Sequence, residues 1–290
     1  MNANEPLIES VQCEVQPIRG QARVLANEPE GNGWRLRLEV PGWPGSIPGQ
    51  FVMVGAGPEA AAPRRDPLLP RPMAIYREHG PLSTGEVGEQ AGVELLYRVV
   101  GRGTALLAAS TPGDMISLVG PLGQGFRVEP GAGPAWLVGG GTGIASLYEL
   151  ARALVACGRR VSVLLGARSE QDLTGRGDFE ALEGAELVCA TEDGSFGFHG
   201  RISEPLESCL DREGAGSTVF AVGPTPMMRA CAELAEAKGV PCVVSLENPM
   251  ACGFGVCLGC AAPRRAGGFS LVCRAGPIFD AREIAWEGLP

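Results

Sequence analysis

The hydrophobic rhythm of the chain changes near residue 130. In the first part Trp34, Leu36, Leu38 and Val40 alternate with Arg35, Arg37 and Glu39, the period-two pattern of a strand with one face in a core. Residues 51–54, 93–100 and 115–119 read as further strands. The intervening stretches PGWPGSIPGQ, GPEAAAPRRDP and REHGPLSTGE are dense in glycine and proline. Many short strands divided by such turns predict an antiparallel barrel over residues 1–130. The segment EPGAGP, residues 129–134, reads as a linker. Beyond it, apolar runs at 135–138, 161–165, 186–190, 218–222 and 242–246 predict strands. Amphipathic stretches over 144–157 and 225–238, each stopped by a glycine, predict helices. Strands alternating with helices predict a parallel α/β unit over 131–246, with 242–246 as its last strand. Residues 247–290 are too few for a core of their own, and predict a small module stapled by a metal centre.

Bulk composition narrows the chemistry. A chain of 290 residues, 45% hydrophobic, has material for two domains and an appendage. Its net charge of −9 repels phosphate backbones, so no nucleic-acid partner is expected. Lys238 is the single lysine and follows no glycine-rich loop, which excludes a P-loop. The opening MNANEPLIES lacks the basic and apolar regions of a secretory signal. The longest apolar candidate, 135–156, is broken by Glu149 and Arg152, so a cytoplasmic chain with no membrane partner is expected. His79 and His199 sit in polar, glycine-rich segments and read as surface histidines.

Four of the ten cysteines crowd together beyond residue 250. Cys252, Cys257, Cys260 and Cys273 have the spacing C-x4-C-x2-C-x12-C. Plant-type [2Fe–2S] centres use C-x4-C-x2-C followed by a distant fourth cysteine. Three thiolates then converge from one tightly wrapped loop, and Gly253, Gly255 and Gly259 sit where wrapping is tightest. Structural zinc and a redox pair Cys257–Cys260 are the rival readings, and neither uses the whole spacing. Cys13, Cys157, Cys189, Cys209, Cys231 and Cys242 are scattered singly and read as small buried hydrophobes.

Two further loops carry candidate chemistry. LVGGGTGIASL, with Gly140, Gly141, Thr142 and Gly143, joins a predicted strand to a predicted helix, where backbone N–H groups favour a diphosphate. AVGPTPMM, with Gly223, Pro224 and Met227, follows a later strand. Loops at the carboxyl ends of parallel strands line the ligand crevice.

These residues resemble a known family. GGGTGIA, GARS, TEDGSFG and the Gly-Pro-x-x-Met-Met loop are similar to the NAD(P)-binding domain of the ferredoxin reductase superfamily. With RPMAIYR, LLYRVVGRGT, GPLGQGF and SLENPMACGFGVCLGC…VCRAGPIFDAREI, the resemblance narrows to the electron-transfer subunit of dihydroorotate dehydrogenase B. The resemblance implies an FAD-binding barrel, then an NAD(H)-binding domain, then a [2Fe–2S] module. It implies that Arg71, Pro72, Met73 and Ala74, the strand residues Leu96, Tyr97 and Arg98, and the turn Gly103-Thr104 contact FAD and its diphosphate. It implies an FMN-containing dihydroorotate dehydrogenase catalytic subunit as partner, in a heterotetramer of two of each. Ala74 stands where relatives carry Ser, Val222 where they often carry Cys, and Ser146 where Pro is common. Related subunits of a sulfhydrogenase or an electron-bifurcating transhydrogenase are the alternative within the same redox class; a zinc-stapled, non-redox binding module is the alternative outside it.

Overall fold

A computed structural model of the chain describes residues 15–58, 67, 69–80, 91–131 and 133–290. Cys13 and most of two glycine- and proline-rich stretches, within 57–67 and 77–86, lie outside the described residues. The predicted alternation becomes a sheet of seven strands: β1 (Ile18–Glu30), β2 (Gly33–Glu39), β3 (Phe51–Val54), β4 (Arg71–Ala74), β5 (Arg77–His79), β6 (Gly92–Tyr97) and β7 (Met115–Leu122), with helix α1 (Arg102–Ala108) before the last. The order β4-β3-β7-β1-β2-β6-β5 places β4 and β5 at opposite edges. Only Ile75 and Tyr76 separate them in sequence, so the sheet has to curl. The seam is bridged by Ile75 N–H to the Gln50 carbonyl at 3.2 Å and Tyr76 N–H to the Glu94 carbonyl at 2.9 Å. Leu36, Leu38, Val52, Val54, Leu95, Ile116 and Leu118 fill the inside of this antiparallel barrel.

The second unit is β8 (Ala135–Gly140), α2 (Tyr148–Ala156), β9 (Val161–Ala167), α3 (Arg176–Glu180), β10 (Ala185–Thr191), β11 (Phe198–His199), α4 (Ser203–Glu213), β12 (Thr218–Val222), α5 (Thr225–Ala237) and β13 (Cys242–Ser245). Its strands run parallel in the order β11-β10-β9-β8-β12-β13. The C-terminal module adds the hairpin β14 (Ala261–Pro263) and β15 (Phe269–Leu271), the short α6 (Val272–Ala275) and β16 (Ile278–Asp280).

Several sequence expectations change. The 242–246 strand is not the last: β16 pairs antiparallel with β13 and covers its free edge. Strand β6 ends at Tyr97 rather than running to residue 100, because the Val100 and Gly101 amides turn to bond Thr104 Oγ1 at 2.9 and 3.2 Å and open α1. The helix expected from residue 144 begins at Tyr148; Gly141–Ser146 forms a 3-10 turn instead. Gly143 forces that tight path, since a Cβ there would stand 2.6 Å from the Val222 carbonyl. His79 is buried, its Nε2 3.0 Å from the Leu38 carbonyl. Cys157 is half-buried rather than buried; Cys189, Cys209, Cys231 and Cys242 are buried, as expected.

The units are held together in two ways. Cys260, Val272, Cys273, Phe279 and Trp286 of the C-terminal module share one core with Met53 and Leu122 of the barrel and Val138 and Val244 of the parallel sheet. Asp178 of α3 supplies the polar hold. One of its oxygens accepts from Arg35 Nη2 and from the Tyr76 hydroxyl, both at 2.6 Å, and the other accepts from Arg77 at 3.0 Å. Burial, together with the Asp178 carboxylate, pushes the Tyr76 hydroxyl far above the ordinary phenol range, so it stays a neutral donor. Asp178→Ala leaves the buried Tyr76 hydroxyl only the Gly175 carbonyl at 3.3 Å, removes the acceptor of Arg77, and takes one of three carboxylates from Arg35. It is expected to lower unfolding stability by about 2–4 kcal/mol, read from denaturant midpoints; a change below about 0.5 kcal/mol, the size of a neutral surface substitution, would contradict this role.

Candidate cofactor and electron-transfer site

Two cavities open where the barrel meets the parallel sheet. The larger is about 680 Å³, within the roughly 300–1,000 Å³ range of small-molecule sites. Gly140, Gly141, Thr142, Gly223, Pro224 and Met227 line it, so both predicted loops face one space at the carboxyl ends of β8 and β12. Arg168, Asp172, Glu192 and Arg201 add its charged walls. The smaller, about 270 Å³, is lined by Arg71, Pro72, Met73 and Ala74 of β4, by Leu96, Tyr97 and Arg98, and by Thr104. That volume suits a ring system rather than a whole dinucleotide. The cavities are neighbours: Arg98, Val100, Thr142 and Glu247 line both.

Two predicted residues line neither cavity. Gly103 lies beneath Arg71, where a Cβ would fall 2.1 Å from the guanidinium Nε, and Gly143 backs onto β12. Others have their side chains engaged within the protein. Tyr97 donates to Asn27 Oδ1 at 2.9 Å, and burial raises its hydroxyl to about 12, so only its backbone and ring face the cavity. Thr104 Oγ1 accepts the amides that start α1 and donates to the Gly101 carbonyl at 3.0 Å. Arg98 forms an ion pair with Asp172 at 3.0 Å. Partial burial opposes ionisation of Asp172, but hydrogen bonds from Asn32 and Ser169 and the charge of Arg98 hold it below the usual carboxylate range. Asp172 and Glu247 were not singled out from sequence. Glu247 was within reach of the strand-end rule, since it follows β13 as Gly223 follows β12.

The β14–β15 hairpin brings two of the four cysteines together. Ala261 pairs with Leu271, so Cys260, just before β14, and Cys273, just after β15, come together with sulfurs 3.2 Å apart. That separation is far longer than a disulfide of about 2.05 Å and short enough for one metal centre with thiolate bonds of about 2.3 Å. Cys252 and Cys257 form the other pair, the Cys257 amide reaching Cys252 Sγ at 3.5 Å. Gly259 N–H donates to Cys257 Sγ at 3.5 Å and Cys273 N–H to Cys260 Sγ at 3.4 Å. Among the described residues no three His, Cys, Asp or Glu side chains gather around one point as a single-ion site needs. Thiols two by two, ringed by N–H groups, fit a centre of two irons.

The loop has a strained backbone for a reason. Gly253 has φ +82°, and a Cβ there would meet Met53 Cγ at 2.5 Å and Leu122 Cδ1 at 3.0 Å. The cluster loop thus lies directly on β3 and β7, and Phe51 of the same β3 lines the smaller cavity. Cys252 and Cys273 differ electrostatically. Desolvation of Cys252 is outweighed by N–H groups of Cys257, Phe254 and Val256, bringing it down to about 6. Burial and the adjacent Cys260 push Cys273 up to about 12. Loading a metal here must therefore displace the proton of Cys273.

Known proteins match this arrangement. The iron–sulfur cluster binding domain of dihydroorotate dehydrogenase B matches residues 247–285, and the oxidoreductase NAD-binding domain matches residues 137–233. The structure of an NADH-dependent reduced ferredoxin–NADP oxidoreductase, from work on flavin-based electron bifurcation, superposes with a TM-score of 0.78 at 29% identity, covering 92% of this chain and 91% of that one. A ferredoxin reductase of carbazole 1,9a-dioxygenase shares the fold, with a TM-score of 0.62 at 24% identity over 79% of this chain and 68% of its own. The molecule is thus a ferredoxin-reductase-type oxidoreductase with an iron–sulfur module at its C-terminus. The dihydroorotate dehydrogenase B (NAD(+)) electron transfer subunit of Desulforamulus reducens is 36% identical over 245 residues, 83% of this chain and 88% of the relative. That of Bacillus caldolyticus is 38% identical over 242 residues, 82% of this chain and 86% of the relative. The chain belongs to the family of dihydroorotate dehydrogenase B electron-transfer subunits.

Gly253→Ala is expected to lower iron and acid-labile sulfide per chain at least several-fold while the barrel still folds, because the left-handed backbone and the contact with Met53 both oppose a Cβ. Full iron content in that variant would contradict the assigned loop geometry.

Proposed function

We propose that the chain carries electrons between NAD(H) and an FMN-containing dihydroorotate dehydrogenase catalytic subunit, by way of FAD and a [2Fe–2S] cluster, in pyrimidine biosynthesis. The observation that carries this reading is continuity. The larger cavity shares walls with the smaller one, and Met250, on the wall of the smaller one, lies two residues before the first cysteine of the cluster loop. The assigned division is residues 1–130 for the FAD barrel, 131–246 for the NAD domain and 247–290 for the cluster module.

Each side chain has a part. The glycine loop with Gly140, Gly141, Thr142 and Gly143, facing Gly223, Pro224 and Met227, receives the nicotinamide dinucleotide. Arg71, Pro72, Met73 and Ala74, with Leu96, Tyr97, Arg98, Gly103 and Thr104, receive FAD; the guanidinium of Arg71 offsets phosphate charge. Ala74 has no hydroxyl, so any donor to the flavin ring at this position is a backbone N–H. Cys252, Cys257, Cys260 and Cys273 hold the cluster. Bound in these places, FAD would supply two-electron acceptance from a hydride and one-electron release, which would suit a cluster held by Cys252, Cys257, Cys260 and Cys273. The protein positions the groups and excludes water, and supplies no catalytic acid or base.

Exposed apolar surface supports a partner at the cluster loop. Phe254, Val256 and Leu258 lie on the cluster loop and Phe269 opens β15; Val256 and Phe269 are 75% and 74% exposed. Large exposed apolar side chains on the loop that carries the redox centre suit a docked subunit. The assembly is proposed as a heterotetramer of two of each chain. Its proposed place is the cytoplasm, where reducing conditions preserve thiolate ligands; among the described residues no helix is long and apolar enough to cross a membrane. Relatives at 36–38% identity support this reading over the electron-bifurcating alternative; the NADH-dependent reduced ferredoxin–NADP oxidoreductase is 29% identical. The two-by-two thiols favour it over a zinc-stapled module.

Cys257→Ser in the copurified complex is expected to leave flavin reduction by NADH within about twofold of wild type and to cut electron delivery to the partner by at least about a hundredfold, on the order of 3 kcal/mol in barrier. Stopped-flow bleaching of the flavin and NADH-driven orotate reduction read the two steps separately. Wild-type turnover in the variant would refute the route.

A further inference from the structure

A third cavity, about 540 Å³, lies where all three units meet. Its volume is within the range of small-molecule sites. Gln124 of the barrel, Thr218 and Phe220 of β12 and Arg274 of α6 line it, and it shares no lining residue with the two cavities already described. Thr218 opens β12, so this space reaches the amino-terminal edge of the parallel sheet, opposite the dinucleotide loops. In a chain of net charge −9, its walls carry four arginines and two glutamates. Arg127 is paired with Glu129 and Arg264 with Glu283. Arg159 and Arg274 have no carboxylate partner among the described residues.

Arg159, in the turn from α2 to β9, is only 9% exposed. Its Nε donates to the Gly133 carbonyl at 3.2 Å and its Nη2 to Thr218 Oγ1 at 2.8 Å. Its guanidinium carbon stands 5.9 Å from the centre of the Phe220 ring. All of these partners are neutral, and Nη1 has none among the described residues. Burial opposes the charge, and Cys157 and Glu129 offset that only in part. A buried guanidinium with no counter-charge is costly. Arg274 is exposed on the rim of the same cavity, directly after Cys273. Its stem lies against the cluster loop, where a Cβ on Gly255 would collide with its Cδ.

We propose that this third cavity binds a small organic phosphate, whose doubly charged head is met by Arg159 and Arg274. Two guanidinium groups without counter-charge call for two negative charges. A phosphate monoester carries nearly two at neutral pH, whereas a carboxylate carries one. The planar fork of a guanidinium also matches phosphate oxygens in geometry. The cavity has room beyond a phosphate head, and its floor of Phe220, Val243 and Ile278 is apolar, which suits an organic body on the ligand.

The test is calorimetric titration of the flavin- and cluster-loaded chain with phenyl phosphate in phosphate-free buffer. Phenyl phosphate is expected to bind, and benzoate, with its single charge, to bind more weakly by about tenfold. Arg159→Gln and Arg274→Gln are each expected to weaken phenyl phosphate about tenfold, the size of one charge-assisted hydrogen bond. Arg274 is exposed, so its variant reads the site even where loss of Arg159 loosens the 129–134 linker. Arg168→Gln, in the larger cavity, leaves the binding unchanged. No binding by the wild-type chain, equal affinity for benzoate, or unchanged affinity in Arg274→Gln would overturn the proposal. Weakening by Arg168→Gln instead would put phenyl phosphate at the dinucleotide loops, and would overturn it as well.

Discussion

One carboxylate, that of Asp178, fixes the barrel against the parallel sheet. It receives Arg35, Arg77 and Tyr76 from three barrel strands or their junctions, and Tyr76 sits at the seam where the barrel closes. The crevice between the units is therefore held by the same residues that close one of them. Hydride transfer needs reacting atoms near contact distance, and small misplacements are costly. A crevice built from two rigid bodies meets that need only if their relative position is fixed. Asp172, paired with Arg98 and bonded to Asn32, repeats the same device at the cavity wall.

The third unit follows a different rule. Residues 247–290 have no core of their own; their apolar side chains complete a core shared by the other two. The cluster loop is pressed onto β3 and β7 through Gly253, so its position relative to the smaller cavity is set by packing rather than by the loop alone. The opposite shifts of Cys252 and Cys273 reflect the same placement. The outer thiol lies among N–H groups near water, while the inner one is buried beside another sulfur. An exposed rim of Phe254, Val256 and Leu258 then carries the outer face of the loop.

Much of this was legible in the chain itself, for physical reasons. The alternation through Trp34, Leu36 and Leu38 marked a barrel strand because one face is apolar while the other carries Arg35, Arg37 and Glu39, held in ion pairs. The cysteine spacing was legible because a metal centre dictates its ligands, and the β14–β15 hairpin accounts for the separation of the last two. Other elements carry weak local signals. Helix α1 is seven residues long with glycine inside it, and β16 is three residues whose partner lies far upstream. The burial of His79 depends on the Leu38 carbonyl across the barrel, a contact with no local trace. The hydroxyl of Thr104 resembles a ligand donor in sequence, but in the fold it starts a helix.

The central claim is that electrons pass within this one chain from nicotinamide through flavin to iron and sulfur. Anaerobic titration of the purified chain with NADH, followed by optical and electron paramagnetic resonance spectra in the same samples, tests it most directly. The account predicts bleaching of the flavin bands together with the signal of a reduced [2Fe–2S] centre. Flavin bleaching with the iron–sulfur centre left oxidised, at potentials able to reduce it, would contradict the account.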